Sequence, residues 1–575
     1  MKLINQNDYE NVIYVTQTSK PDYESGLHTT VKSSGCGLCA GMMVAEFFNK
    51  PMSIDEAIKL SYDYKANTSS GTKYKEYSNA LKDYLDLDIS RTDNKEDLFK
   101  CLDEGGCAVC NVGGDHDEHL GIFSNTGHYI FIHSHNNDEL CIYDPGLTKE
   151  KYDLPYRKDK VKVEGNHIYS GINNLLDDMT NRESCIFLYR KRKEISSYKD
   201  IFNKIDELFP SFVDIWKDVV LIDSPTNYKE GVDKVGKYFI DKAAKNMWDI
   251  EVQENEYAGN AICITMNSES NNKPIVISGH MDTVHPINSL DTYIKDGMMF
   301  GPGVTDCKGG LVACLLAMKA LKECGYKDRP IKFILQSDEE VGSKLSNKKT
   351  IEFMIEKAKD ALCFINAEMY MDGTVVTTRK GIARYNMMIR GKSVHASLCD
   401  GGASAILEAS HKIIELEKIK QPDAITINVG TIKGGTTSNT VPDECSFEID
   451  VRFANDDQYK KAKEYITNIA NTTFVEGTST ELVETGTRIA MDHKDYNDDL
   501  VNKINAIYKD CGLIELKQRK ASGGSDAAYT SDAGIPTIDS IGVHGGYIHS
   551  KKEYAYLDSL KDSAKRIASI IYKLG

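Results

Sequence analysis

Imidazoles and carboxylates at strand ends are well placed to hold a divalent cation, and this chain offers five in order: His280, Asp306, Glu340, Glu368 and His549. The apolar run Ile275–Ser278 reads as a strand and leads into Gly279-His280-Met281-Asp282-Thr283. Two residues apart in extended chain, His280 and Asp282 point the same way. A carboxylate there accepts the second ring N–H of a metal-bound imidazole, fixing its tautomer and raising its basicity. Asp306 lies in the turn-rich Gly301-Pro-Gly-Val-Thr-Asp306-Cys-Lys-Gly-Gly310, where a rigidly held carboxylate can bridge two ions. In Ser337-Asp338-Glu339-Glu340-Val-Gly342 the adjacent acids point apart, so one can bind metal while the other moves protons. Glu368 follows the apolar run Ala361–Ile365, and His549 sits in Gly545-Gly-Tyr-Ile-His549-Ser-Lys-Lys-Glu553-Tyr554. Two histidines and three carboxylates suit two Zn²⁺ ions that share one carboxylate and leave a position open for water. Cobalt or manganese are the alternative metals. A solitary His-x-Asp or acidic doublet is usually a solvated surface feature. That reading does not predict an ordered recurrence at successive strand ends.

A second chemistry sits upstream. Ser34-Gly35-Cys36-Gly37-Leu38-Cys39-Ala40 places a Gly-flanked cysteine at the start of a predicted helix. The helix dipole favours the thiolate there and lowers the thiol pKa. Downstream, Gly127-His128 begins one strand and Cys141-Ile-Tyr-Asp144-Pro-Gly146 ends the next, a hairpin that can align His128 as base and Asp144 as its orienting acid. Gln17, ahead of the cysteine, can donate to an oxyanion, and Cys39 is a rival nucleophile one helical turn on. Asp115-His116-Asp-Glu-His119 reads as a solvated loop rather than a metal site.

A chain of 575 residues exceeds what one core usually serves. Texture divides it at a charged, helix-prone stretch running from Arg190 to Leu208. Residues 1–190 hold short strands such as Cys107–Val112, His128–His133 and Leu140–Tyr143. From about 205 onward, strands alternate with helical patterns such as Gly310–Leu321, which predicts a mostly parallel sheet with helices on both faces. Residues 382–490 read as an inserted α+β sandwich, with strands at Arg384–Arg390, Ala424–Val429 and Cys445–Phe453, leaving 205–381 and 491–575 as one domain.

The formal charge of −16, from 86 acidic and 70 basic residues, argues against a nucleic-acid or membrane-surface partner, since either needs a basic face. No apolar run approaches the roughly 20 residues of a membrane helix, and the start of the chain lacks a signal pattern. The fifteen cysteines are irregularly spaced and read as buried thiols in a reducing cytoplasm.

The segments His280–Val284, Phe300–Gly310, Ser337–Gly342, Glu368, Gly391–His395, Gly434–Pro442, Ser522–Asp526 and His549–Glu553 together resemble the family of acetylornithine deacetylase, succinyl-diaminopimelate desuccinylase and glutamate carboxypeptidase. Phe300-Gly-Pro-Gly-Val-Thr-Asp306 and Gly523-Gly-Ser-Asp526-Ala-Ala-Tyr529 look closest to the glutamate carboxypeptidases. The resemblance implies that His280 and Glu368 hold one zinc, Glu340 and His549 the other, and Asp306 bridges. It implies that Asp282 orients His280 and that Glu339 is the general base. His395, on the inserted lid, would stabilise the oxyanion in a partner subunit's site, which implies a homodimer through the lid. Asn439 and Arg452 would grip the carboxylate of a small peptide or N-acyl amino acid. Cys307, beside the bridging Asp306, is a departure expected only to fill its position.

Gln17, Cys36, His128 and Asp144, in that order, resemble a papain-like, bacteriocin-processing type of cysteine peptidase, although Leu38 stands where that family usually has proline. The resulting expectation is a zinc amidohydrolase or exopeptidase fused to a cysteine peptidase-like domain. The alternative is a biosynthetic tailoring enzyme, whose front domain transfers an acyl group from a thioester and whose zinc domain removes an acyl or glutamyl group.

Overall fold

The computed structural model describes residues 1–14, 30–68, 71–116, 118–182, 186–192, 194–421 and 423–574. The chain forms two compact units. One comprises Met1–Glu194 with Asp241–Asp249 and Lys322–Gly325, the other Ile195–Ile240, Ile250–Leu321 and Tyr326–Gly575.

Among the described residues, the first unit carries a seven-stranded sheet in the order Leu87–Thr92, Ile186–Lys191, Cys107–Val112, His128–Asn136, Glu139–Tyr143, His167–Gly171, Val161–Glu164. Every neighbouring pair is antiparallel. The helix Cys36–Phe47 buries Gly37 through Ala45 without a break, as expected of a helix apolar all round. The charged stretch after residue 190 is not uniformly helical. Arg190 and Lys191 finish a strand whose apolar start, Ile186-Phe-Leu-Tyr, is paired on both sides. The helix begins only at Tyr198, where Ser197 accepts the Lys199 N–H and Asp200 completes a capping box.

The second unit is built on an eight-stranded sheet in the order Asp249–Gln253, Ala261–Met266, Ile331–Gln336, Ile275–His280, Cys363–Asn366, Thr537–Asp539, Thr374–Arg379, Lys517–Ala521. Its centre is parallel: Ile275 lies level with both Ile331 and Cys363, and Phe364 with Thr537. All six residues of Ile275–His280 are buried, the continuous apolar pattern of a strand covered on both faces. Ala261–Met266 and Thr374–Arg379 pair antiparallel with Ile331–Gln336 and Thr537–Asp539, so the sheet is mixed towards its flanks.

The inserted segment forms a four-stranded antiparallel sheet in the order Thr426–Gly434, Glu444–Phe453, Gly381–Arg390, Ser479–Arg488. Tyr385, Met387, Ile389, Phe447, Ile449 and Val451 line its core with Ala405, Ala409 and Ile466 of the helices Ala405–Leu416 and Asp456–Asn471. The strand Ser479–Arg488 escapes sequence reading because Leu482 and Val483 are its only large apolar residues. No helix among the described residues is long and apolar enough to cross a membrane.

Candidate functional site

The parallel strands end level with one another: His280 lies beside Gln336 and Ser278 beside Asn366. The residues that follow each strand therefore emerge together outside the carboxyl ends, where open α/β sheets bind ligands. All five expected ligands meet there. His280 Nε2 lies 3.1 Å from Asp306 Oδ1 and 3.7 Å from Glu368 Oε1. His549 Nε2 lies 3.1 Å from Asp306 Oδ2 and 3.2 Å from Glu340 Oε2. Asp306 thus stands between the two imidazoles with one oxygen toward each. His549 holds a left-handed backbone (φ 59°), which non-glycine residues adopt infrequently and which clusters at functional sites.

Asp282 is fully buried and joins the two halves of this arrangement. His280 Nδ1 lies 2.9 Å from its carbonyl and 3.4 Å from its Oδ1. The carboxylate accepts the backbone N–H groups of Glu339 and Glu340 at 3.2 and 3.1 Å, and the Thr226 hydroxyl at 2.8 Å. One carboxylate therefore sets both the ring of His280 and the turn Glu339–Val341. That turn closes at Gly342 with φ 69°, a left-handed conformation that glycine adopts without strain.

The electrostatics of the cluster fit bound cations. Burial and the charge of Asp306 push Glu368 well above the usual carboxylate range, and burial with the same neighbour pushes Glu340 up to about 7. Hydrogen bonds to Asp306 and Glu340 lift His549 to about 10. Despite its burial, Asp306 is held low by hydrogen bonds from His280 and His549. Glu340 Oε1 is buried without a hydrogen-bond partner. Three carboxylates this close repel unless protons or cations intervene, and oxygen and imidazole donors of this kind suit zinc or a similar divalent ion. Cys307 is buried within ligand distance of His280 and Glu368 and donates to the Ala367 carbonyl at 3.1 Å. Burial pushes its thiol well above the ordinary range.

Glu339 pairs through Oε1 with Arg488, whose guanidinium also donates to the Glu339 carbonyl. Sequence reasoning missed Arg488, which enters only where the last strand of the insert returns. It also gave no role to Asp526, a buried carboxyl with both oxygens unpartnered, pushed up to about 7 by burial and the charge of Glu339.

Glu553 was legible only as part of a motif. Its carboxylate accepts the backbone N–H groups of Gly303, Thr305 and Asp306 at 3.2, 2.9 and 3.0 Å and meets His285 Nε2 at 2.8 Å. Glu553→Gln turns an amide N–H toward one of these donors. The expected cost is about 1–3 kcal/mol of unfolding free energy, read by denaturant titration, with hydrolysis falling because the loop that carries Asp306 loses its anchor.

The residues expected on the insert have partners of their own. His395 is exposed, its Nδ1 2.7 Å from the Ser397 hydroxyl. Asn439 is also exposed; its carbonyl accepts the Ala396 N–H at 2.9 Å, so the two residues are neighbours. Arg452 uses its fork on Asp450, Nε to Oδ1 at 2.7 Å, and reaches the Ser522 carbonyl at 3.4 Å.

In the first unit, Cys36 opens the helix Cys36–Phe47 and is half-buried. Burial works to raise its pKa, but hydrogen bonding to His128 and to the backbone N–H groups of Tyr129 and Gly37 leaves it below the ordinary thiol value. His128 Nε2 meets Asp144 Oδ1 at 2.6 Å, leaving Nδ1 for the thiol. Gly146 borders the pair, where a Cβ would come within 3.2 Å of the His128 ring. Lys151 and Tyr152, absent from the sequence reading, donate to Asp144 Oδ2 at 2.5 and 2.7 Å. Gln17 lies outside the described residues. His119 meets Asp178 at 2.5 Å and His116 meets Thr180 at 2.6 Å, while Asp115 and Glu118 of the same loop are exposed.

The family model described as Peptidase family M20/M25/M40 matches residues 276–573, and that of the Peptidase_C39 like family matches residues 9–174. The chain is 27% identical over 387 residues to carboxypeptidase G2 of Pseudomonas sp. (strain RS-16), covering 65% of this chain and 92% of that protein. It is 29% identical over 209 residues to acetylornithine deacetylase of Myxococcus xanthus, covering 34% and 53%. Among solved structures, aminopeptidase PepT from Bacillus cereus ATCC 10987 is similar with a TM-score of 0.53 and 25% identity, over 63% of this chain and 97% of that one.

Proposed function

Because the chain belongs to peptidase family M20/M25/M40 and is a hydrolase, we propose that it is a dinuclear zinc amidohydrolase cleaving an amide bond beside a carboxylate-bearing residue. Residues 205–381 and 491–575 form its catalytic domain and 382–490 its lid. The observation that carries the reading is the meeting of His280, Asp306, Glu340, Glu368 and His549 at the carboxyl ends of parallel strands. When bound, the ions supply Lewis acidity to the scissile carbonyl and to the attacking water. His280 and Glu368 would hold one, Glu340 and His549 the other, and Asp306 both. The names carboxypeptidase G2 and acetylornithine deacetylase support an exopeptidase or deacylase acting on a small peptide or N-acyl amino acid.

In this reading Asp282 fixes the ring of His280. Glu339 takes a proton from the attacking water and delivers it to the leaving amine. Arg488 restrains one oxygen of Glu339, which leaves the other free to turn to the water. Arg452 and Asn439 bind the substrate carboxylate, Arg452 exchanging Asp450 for it. His395 donates to the oxyanion in a partner's site, in a homodimer formed through the lid. The exposure of Ile406, Leu407 and Ile414 along one lid helix supports that assembly. The Cys36 centre supplies a separate, cysteine peptidase-like chemistry.

The test is metal content measured alongside hydrolysis of N-acyl amino acids and dipeptides, C-terminal glutamates included. Asp306→Ala should lose about two ions per chain relative to the unaltered chain, together with all detectable hydrolysis, because both ions share that carboxylate. Equal metal content in the two proteins would refute the shared site.

A further inference from the structure

The first unit carries a second constellation that the thiol centre does not use. His133, Cys141 and His167 stand on three adjacent strands, His128–Asn136, Glu139–Tyr143 and His167–Gly171, and one ligand atom from each lies within 4.8 Å of the others. Cys141 pairs with Ser134 on one side and Tyr169 on the other. The first of these strands is irregular between Ile132 and Ser134, which leaves His133 as an extra residue beside Cys141. Such a bulge re-aims a side chain.

We propose that His133, Cys141 and His167 form a binding site for one divalent transition-metal ion of zinc type, separate from both centres described above. The donor set is right for it, two imidazoles and a thiolate with a fourth position left to water. Tetrahedral zinc holds its ligand atoms about 3.5 Å apart, and here they lie within 4.8 Å of one another. Nε2 of His133 is buried and has no hydrogen-bond partner, whereas His128 on the same strand is paired with Asp144. His167 is already oriented, with the Tyr143 hydroxyl 2.9 Å from its Nε2. A partner of that kind fixes the ring of a metal-bound histidine. Tilted ring contacts account for the rings of His133, Tyr143 and His167, spaced 5.1 and 4.9 Å. They leave the buried His133 nitrogen without a partner, while the Cys141 thiol has hydrogen-bonding neighbours in Tyr169 and Ser134.

Binding would release the thiol proton of Cys141 to solvent as its sulfur bonds the ion. The location gives the ion a task. His133 lies on the strand that begins with His128, and Cys141 lies on the strand that leads to Asp144. An ion held by both clamps the hairpin that presents the base and its orienting acid to Cys36.

The experiment uses the full chain, stripped with a chelator and refilled with Co²⁺. The expected result is a thiolate-to-cobalt charge-transfer band in the near ultraviolet. It should vanish in Cys141→Ser and persist in Cys307→Ser, whose thiol neighbours the other cluster. His167→Gln should bind about one ion fewer per chain while its circular dichroism and its hydrolysis of N-acyl amino acids and dipeptides, the chemistry assigned to the second unit, match the parent. Absence of the band, its survival in Cys141→Ser, or undiminished metal in a folded His167→Gln would each overturn the proposal. Failure of the dinuclear reading would show instead as unchanged metal content in Asp306→Ala, without effect on this band.

Discussion

Glu339→Gln should retain the metal content of the cleft and lower kcat by about 10²–10⁴-fold, the usual contribution of a positioned general base. The substitution keeps the size of the side chain and an oxygen that can accept from Arg488, but removes the basic lone pair. The metal donors are untouched. Glu340 points elsewhere, toward His549, and Asp282 still accepts the backbone N–H of residue 339, whatever its side chain. KM should change little, because the loss falls on proton transfer rather than on binding. Removing one partner of a buried ion pair usually also destabilises by several kcal/mol. Here Asp526 lies near enough to Arg488 for their charges to interact, so Arg488 keeps an acidic neighbour. The same change relieves Asp526 of the charge that helps push it up to about 7. Unfolding measured beside turnover separates the two effects: activity lost from a protein of near-normal stability and full metal content is the expected pattern. Turnover within a few fold of the parent would remove Glu339 from the mechanism.

The reasons some residues were legible and others were not are physical. His280, Glu340 and Glu368 each follow a short apolar run, and parallel pairing brings the ends of such runs level, so strand ends and the family resemblance together pointed to one place. Cys36 and the pair His128 and Asp144 were legible for a similar reason, since a helix start and a hairpin are local structures. Arg488 was not, because Gly486-Thr-Arg488-Ile-Ala has no pattern of its own and the residue reaches Glu339 only through the topology of the insert. Lys151 and Tyr152 follow Asp144 by seven and eight residues, a loop distance from which no spacing rule predicts contact. Glu553 was visible in a motif, yet its task of holding three backbone donors could be read only from coordinates. The bulge beside Cys141 is likewise a matter of register, which the sequence of that strand does not announce.

Cys36→Ala should abolish the thiol chemistry of the first unit, whereas Cys39→Ala should leave it intact, although the two cysteines sit one helical turn apart. Their surroundings are opposite. Cys39 is fully buried, and burial together with the neighbouring Cys36 pushes its thiol far above the ordinary range. Cys36 is half-buried, and despite the penalty of burial its thiolate is stabilised by His128 and two backbone N–H groups. A lowered thiol pKa means that the thiolate persists as pH falls, until the pH passes below that lowered value. At pH 6 an ordinary cysteine is only about 0.3% ionised. Alkylation by iodoacetamide at pH 6, located by peptide mass so that the exposed Cys399 is counted separately, should therefore concentrate on Cys36. Its initial rate in the first unit should drop by about 100-fold in Cys36→Ala. His128→Ala removes the hydrogen bond and the positive charge that hold the thiolate, so the pH profile of labelling should move upward toward that of a free thiol. Labelling of Cys39 in the parent protein, or a profile indifferent to His128, would mean that the thiol and imidazole do not act as a pair, and a peptidase or acyl-transfer role for Cys36 would fall with them.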